Sequence, residues 1–348
     1  MADSSPYADD LRLAHVLADQ VERITMARFQ AADLVVESKP DLTPVSDADR
    51  ACEEAIRAQL GRSRGRDAVL GEEYGASGDA QRRWIIDPID GTTNFVKGFP
   101  FVCISIGLVY KSEPVLGVIF APFLGQLYAA RKGSGAFMTS PLHPERRSLP
   151  LTKPQPLSSF KQALVAFEWG SDRSKEVMER KTRTFERLTG DAAGGVQGGE
   201  MALGVRSVGS AALNFAHVAA GCLDVYWEIG CWAWDVCAGM VIAQEAYVCL
   251  LTQRMRSGRL QSARGRGRQG RMAPCGDACG PHRAQVPRGA RDRRRAAGVG
   301  RGYTEAHDPD VLQRGGRVGP EVATDSVLQP TARPSGRRTP CSAPWCPH

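Results

Sequence analysis

Trp84-Ile85-Ile86-Asp87-Pro88-Ile89-Asp90-Gly91-Thr92-Thr93-Asn94 is the stretch that decides how this chain is read. Three large apolar residues in a row predict a buried strand, which runs directly into two carboxylates separated by a proline. A carboxylate at the end of a hydrophobic run is costly to bury unless something compensates its charge. Pro88 fixes its own φ and favours a turn that brings Asp90 back beside Asp87. Two oxygen donors held this way suit a hard cation such as Mg2+. Gly91 and Thr92 would then open a helix whose free N–H groups face a phosphate. The plainer reading is a strand that ends in an Asx-type turn.

Three other stretches bear on that choice. Ala68-Val69-Leu70 predicts a short strand that delivers Glu72, with Glu73 expected as a solvated neighbour. Trp234-Asp235-Val236-Cys237-Ala238-Gly239 opens an apolar helix, where Asp235 is also the kind of residue a helix dipole favours. Arg206-Ser207-Val208-Gly209-Ser210-Ala211-Ala212 is a glycine turn, with Gly209-Ser210 suited to an N-cap. Taken in order, the four stretches resemble the inositol monophosphatase family of Mg2+-dependent, lithium-sensitive sugar phosphatases. The resemblance covers roughly residues 10 to 246, and a weaker likeness points to fungal members from quinate-utilisation gene clusters.

The resemblance implies a layered α/β (α+β) fold of alternating helices and sheets. It implies Mg2+ held by Glu72, Asp87, Asp90 and Asp235 with the Ile89 carbonyl, Asp87 bridging two ions. Glu72 and the Thr92 hydroxyl would activate a water for in-line attack on a phosphate monoester, with Asp47 orienting Thr92. On the residues alone, Asp47 serves equally well as the cap of the helix that follows it. Substrate contacts would come from Glu72, Ile89, Asp90, Gly91, Thr92, Gly209, Ser210, Ala211, Glu228 and Asp235. The implied substrate is a small phosphorylated polyol, and the implied assembly a homodimer.

Charge divides the chain unevenly. Its net +7 is the sum of −5 over residues 1–250 and +12 over residues 251–348, where 19 arginines meet 7 acids. The basic balance therefore describes the tail, and no nucleic-acid partner is expected for the rest. No run approaches the roughly 20 apolar residues of a membrane span. Met1-Ala2-Asp3-Ser4-Ser5 lacks a basic-then-apolar leader, which together predicts a cytoplasmic protein. Of the ten cysteines, Cys52, Cys103, Cys222, Cys231, Cys237 and Cys249 lie mostly in apolar surroundings, as reduced core cysteines do.

Periodicity predicts a long amphipathic helix over 9–36, a proline-broken loop at 39–47 and a second helix through Ala51, Ile56 and Leu60. Strands are expected at 84–86, 102–110 and 115–121, with a hairpin around Gly125 and Gly133–Gly135. Their short links predict an antiparallel sheet. A surface connection at 141–160, a helix at 210–220 and a strand at 223–229 complete the reading, with His217 a core or interface residue. The expected division is 1–150 as the part carrying the main metal site, 151–246 as an incomplete second sheet and helix part, and 247–348 as tail. The tail has no Ile, Phe or Lys, so it is expected to be disordered, as a displaced reading frame would leave it. Two other uses of the tail are open: an RNA-binding Arg264-Gly265-Arg266-Gly267-Arg268 segment and a zinc cluster of Cys275, Cys279, His282, Cys341, Cys346 and His348. The expected function is a phosphomonoesterase. Its rival is a non-catalytic regulator or inactive remnant with the same fold, connected with quinate metabolism.

Overall fold

The computed structural model describes residues 7–39, 44–78, 80–151, 157–248 and 250, with four two-residue strands beyond them. Among the described residues six α-helices carry the packing: α1 (Ala8–Arg28), α2 (Asp47–Arg64), α3 (Thr92–Lys97), α4 (Lys175–Thr189), α5 (Ala211–Ala220) and α6 (Ala233–Glu245). The strands before the second half are β1 (Val36–Ser38), β2 (Pro44–Ser46), β3 (Ala68–Gly71), β4 (Gly75–Ser77), β5 (Arg82–Asp90), β6 (Cys103–Tyr110), β7 (Glu113–Ala121), β8 (Gln126–Arg131), β9 (Ala136–Ser140) and β10 (His143–Ser148). They are followed by β11 (Leu164–Phe167), β12 (Gly204–Arg206), β13 (Val225–Trp227), β14 (Cys231–Trp232), β15 (Met255–Arg256), β16 (Arg259–Leu260), β17 (Arg317–Val318) and β18 (Glu321–Val322).

An eight-stranded sheet in the order β10-β9-β8-β7-β6-β5-β3-β4 is antiparallel throughout except where β3 runs parallel to β5. Strand alternation decides what each face meets. Trp84, Ile86, Ile104, Ile106, Leu116 and Val118 point to one side, where α1 and α2 cover them with Leu17, Val21, Cys52 and Ile56. Ile85 and Val109 point to the other, where Phe215 of α5 and Val236, Cys237 and Met240 of α6 pack. Beyond α5 and α6 lies a second sheet, β12-β11-β13-β18, in which β11 is parallel to both β12 and β13. Phe185 of α4 packs edge-on to Phe167 of β11. The result is alternating layers of helices and sheets, as expected for the fold class.

Two glycines set how closely α6 lies on the sheet. A Cβ on Gly117 would come 2.2 Å from the Ala238 carbonyl oxygen, and one on Gly107 2.5 Å from Cys237 Sγ. The helix backbone thus rests on strand backbone.

Several local expectations shift. The opening helix ends at Arg28 rather than 36, because Phe29 turns to an extended conformation and packs its ring, tilted, against Phe95 and Phe123. The connection at 141–160 contains β10, which extends the sheet edge. The strand around 223–229 is shorter, Val225–Trp227, and leaves Glu228 just past its end. β11 and α4 were not foreseen. His217 is half-buried and packs against the rings of Phe101 and Tyr128. Cys52, Cys103, Cys222, Cys231 and Cys237 are free thiols; Cys249 lies outside the described residues.

The expectations for the arginine-rich tail, the Arg-Gly segment and the tail cysteines lie largely outside the described residues. Within the tail, β15 pairs with β16, β17 with β14, and β18 with β13. Among the described residues no helix is long and apolar enough to cross a membrane.

Candidate active site

Period-two alternation places Asp87 on the same face of β5 as Ile85, toward α6, whose third residue is Asp235. The pairing register between β5 and β6 slips between Asp87 and Asp90, and there the strand turns. β3 runs beside β5 and ends at Gly71, so the following Glu72 reaches the same rim. Three separate stretches thus bring Glu72, Asp87, Asp90 and Asp235 together.

Their electrostatics reflect that crowding. Burial pushes Asp87 well above the usual carboxylate range, and Glu72, Asp90, Asp235 and Asp49 push it further. Asp235 is raised well above its ordinary value by burial, then by Asp90 and Glu72. Glu72 is raised by burial, against which Lys39 works. Asp90 is pushed up to about 6 by burial, although Ser210 Oγ and the Ala212 N–H, each 2.7 Å from its Oδ2, stabilise the charge. Asp87 Oδ1 accepts from the Ile89 N–H and Asp235 Oδ2 from the Trp232 N–H. Among the described residues, Lys39 is the one cation paired with any of the four, at 2.6 Å from Glu72 and 2.7 Å from Glu73.

Hard oxygen donors short of positive charge, with Asp87 and Asp90 buried and Glu72 and Asp235 half-buried, fit a divalent cation of the Mg2+ type. Among the described residues no three such side chains form a ready-made metal cage, and Glu72 turns to Lys39 instead. Lys39 is held charged by that contact: burial opposes its ammonium form, but Glu72 and Glu73 raise its pKa.

Two expectations are corrected here. The residue that reaches Thr92 is Asp49, not Asp47: Thr92 Oγ1 donates to Asp49 Oδ1 at 3.1 Å and lies 3.0 Å from the Ile89 carbonyl oxygen. Nor does Asp47 cap α2. Ser46 is the N-cap, and Asp49 closes a capping box by accepting from the Ser46 N–H at 2.8 Å. Asp47, on another face of the helix, pairs with Arg28. Asp49 is itself pushed up to about 6, chiefly by burial. The second correction concerns Glu73, whose side chain is only 5 % exposed and ion-paired, not solvated.

Gly91 adopts φ 92° and caps the short α3. A Cβ there would press on the carbonyl oxygens of Phe101 (3.1 Å) and Gly209 (3.2 Å), so the strand-to-helix turn and the 207–210 turn touch through backbone. Asn94 Nδ2 ties them further by donating to the carbonyls of Phe101 and Val208.

Glu168, at the end of β11, was missed by the sequence reading. Its carboxylate accepts from the Val208 N–H (2.7 Å), the Gly209 N–H (3.0 Å), Asn214 Nδ2 (2.9 Å) and Ser207 Oγ (3.0 Å). Gly209 and Ser210 therefore spend donors inside the protein: the first on Glu168, the second on Asp90, while Ser210 Oγ also caps α5. Ala211 opens α5 beside them. Glu228 is buried, takes the Tyr226 hydroxyl, and is pushed up to about 7 by burial, with Glu168 adding to it. Its charge is felt by Asp235, which joins this second acidic group to the first.

The profile of the Inositol monophosphatase family matches residues 9–269. A histidinol-phosphatase of Streptomyces coelicolor is 55% identical over 135 residues, 38% of this chain and 51% of that protein, so the chain spans about half of that relative. Inositol monophosphatase 2 of Saccharomyces cerevisiae is 40% identical over 210 residues, 58% of this chain and 67% of the relative. The quinic acid degradation cluster protein x of Neurospora crassa is 36% identical over 250 residues, 68% of this chain and 70% of that protein. Among solved structures, the extragenic suppressor protein suhB of Bartonella henselae superposes with a TM-score of 0.60 at 30% identity, covering 70% of this chain and 87% of that one. Profile, relatives and fold together show that the chain belongs to the inositol monophosphatase family, a family of phosphomonoester hydrolases.

Proposed function

We propose that this chain is a Mg2+-dependent phosphomonoesterase acting on inositol monophosphate or a related polyol phosphate, in the cytoplasm and as a homodimer. The observation that carries this reading is the meeting of Glu72, Asp87, Asp90 and Asp235 beside Thr92, with Lys39 as their one ion-pair partner among the described residues. Those four carboxylates and the Ile89 carbonyl would hold the metal. When bound, Mg2+ supplies Lewis-acid neutralisation of phosphate charge and a water of lowered pKa.

The chain's own residues do the rest. Thr92 donates a hydrogen bond from its hydroxyl to Asp49 Oδ1 or to the Ile89 carbonyl oxygen, leaving oxygen lone pairs free to accept from an attacking water. Glu72, its pKa raised by burial, would take that water's proton. Gly91 and Thr92 present backbone N–H groups toward the phosphate. On the alcohol side, Glu228 and Asp90 are acceptors for substrate hydroxyls, with Asp90 bonded to Ser210 of the 207–211 turn.

A second substrate class has a specific observation in its favour. Glu168 and Glu228 bring two carboxyl groups to the alcohol side, hydrogen-bond acceptors that suit the ammonium of an amino-alcohol phosphate such as histidinol phosphate. The name of the Streptomyces relative, a histidinol-phosphatase, points the same way.

Phosphate release by the purified chain from inositol 1-phosphate and from histidinol phosphate, with Mg2+ and with EDTA, tests the reading. Metal-dependent release that Asp90→Asn abolishes is the expected result. If release survives EDTA, or is unchanged in D90N, the mechanism fails. If neither ester is hydrolysed, the reading that stands is the non-catalytic regulator, with a quinate-like ligand as the Neurospora relative's name suggests.

A further inference from the structure

Asp49, Glu53 and Arg57 follow one another at four-residue steps along α2 and therefore share a face. Asp49 holds Thr92. One turn on, Glu53 is fully buried, and its carboxylate accepts from the Glu73 N–H at 2.7 Å and the Tyr74 N–H at 3.3 Å. One turn further, Arg57 Nε donates to Glu53 Oε1 at 2.7 Å, while its other nitrogens donate to the Gly75 carbonyl and to Ser77 Oγ. Glu53 and Arg57 together grip the turn that follows β3, and Glu72 is the first residue of that turn.

Gly71 explains why the grip is possible. A Cβ on it would lie 2.1 Å from Glu53 Oε1, so the carboxylate occupies the space a side chain would need. A buried carboxylate with two backbone donors and one arginine is satisfied only while the turn keeps its shape. If Glu72 swings, the Glu73 and Tyr74 N–H groups leave Glu53 and strand its charge. The same helix that fixes Thr92 is thereby a ruler for Glu72.

We propose that Glu53 and Arg57 are positioning residues that set Glu72 for divalent-cation binding through the Glu73-Tyr74-Gly75 backbone. The proposal rests on reading Glu72 as a metal ligand. Partners of this kind, one step behind a ligand, change metal affinity about 10- to 100-fold when removed.

The test is titration calorimetry of Mg2+ into the metal-free full chain, comparing wild type, Glu53→Gln, Arg57→Lys and Asp10→Asn. Asp10 is another buried carboxylate, bonded to Arg64 and Arg82, on a helix that bears none of the ligands. The expected result is Mg2+ affinity about tenfold weaker in E53Q, an intermediate loss in R57K and wild-type affinity in D10N. Thermal melts in EDTA should show E53Q and D10N comparably destabilised, which separates positioning from general stability. Wild-type affinity in E53Q, or an equal loss in D10N, overturns the proposal. Should E53Q fail to fold, R57K decides by the same criterion, since the Arg57 side chain is 19 % exposed and its replacement is milder. Absence of Mg2+ binding in the wild type would instead refute the ligand assignment, and this inference with it.

Discussion

The hydroxyl of Thr92 and the carboxylate of Asp49 meet at 3.1 Å, although 43 residues separate them. Asp49 is already committed to the first turn of α2 through Ser46, so the threonine is fastened to a helix end that is itself locked. Asp49→Asn should lower kcat on inositol 1-phosphate by about 10²- to 10⁴-fold while leaving KM nearly unchanged. Asp47→Asn, which removes only a partly exposed ion pair with Arg28, should keep near-wild-type turnover and change stability by less than about 1 kcal/mol. Steady-state kinetics of the two variants side by side decide; the reverse ranking would return the role to Asp47.

Metal should act on stability as well as on rate. Mg2+ relieves mutual repulsion among Asp87, Asp90, Asp235 and Glu72, so saturating ion should raise the melting temperature, the gain in stability being about 2.7 kcal/mol at one hundred times Kd. Asp87→Asn should melt higher than wild type without metal and lose the response to it. Differential scanning fluorimetry with EDTA and with graded Mg2+ measures both, and a D87N melt that still climbs with Mg2+ would count against this ligand set.

Glu228 gives a pH signature. Its pKa is raised from 4.5 to about 7 by burial, so the folded state favours the protonated form. The corresponding stability is complete below 4.5 and is lost as pH rises through about 7. Glu228→Gln removes that loss. Wild type and E228Q should have similar melting temperatures near pH 4.5 and diverge above pH 7, E228Q being the more stable by on the order of 3 kcal/mol. Parallel melting curves across this window would show that Glu228 titrates at its ordinary value.

Gly91 should tolerate no side chain. Alanine would have to adopt a left-handed φ and press on two carbonyl oxygens at 3.1 and 3.2 Å. Gly91→Ala is expected to cost about 1–3 kcal/mol and to displace Thr92, lowering turnover out of proportion to stability. Urea unfolding and kcat measured on the same preparation test this; a normal kcat would mean that the two turns move independently.

The strands and the acidic rim were legible because a period of two and an apolar run ending in a carboxylate are local patterns. Asp47 against Asp49 was not, since both acids lie in one helical turn and a two-residue slip rotates a side chain by about 200° around the axis. The Ser46-to-Asp49 spacing of a capping box was the available clue. Glu73 looked solvated because its partner, Lys39, lies far upstream and local pattern does not reach it. The opening helix was extended too far because local periodicity carries no stop signal there, whereas the pull of Phe29 toward Phe95 and Phe123 is tertiary. Glu168 ends the short apolar strand Leu164–Phe167 just as Asp87 follows Trp84–Ile86, and the same pattern would have found it.

Gly107 and Gly117 touch none of the ligands, yet they set the height at which α6 rides on the sheet. One methyl group at either place would lift the helix like a shim, and Asp235 would rise with it. Genetic screens for lost activity should therefore score these two strand positions alongside the carboxylates, since this chain's tolerance to inheritance is narrowest where it has no side chain at all.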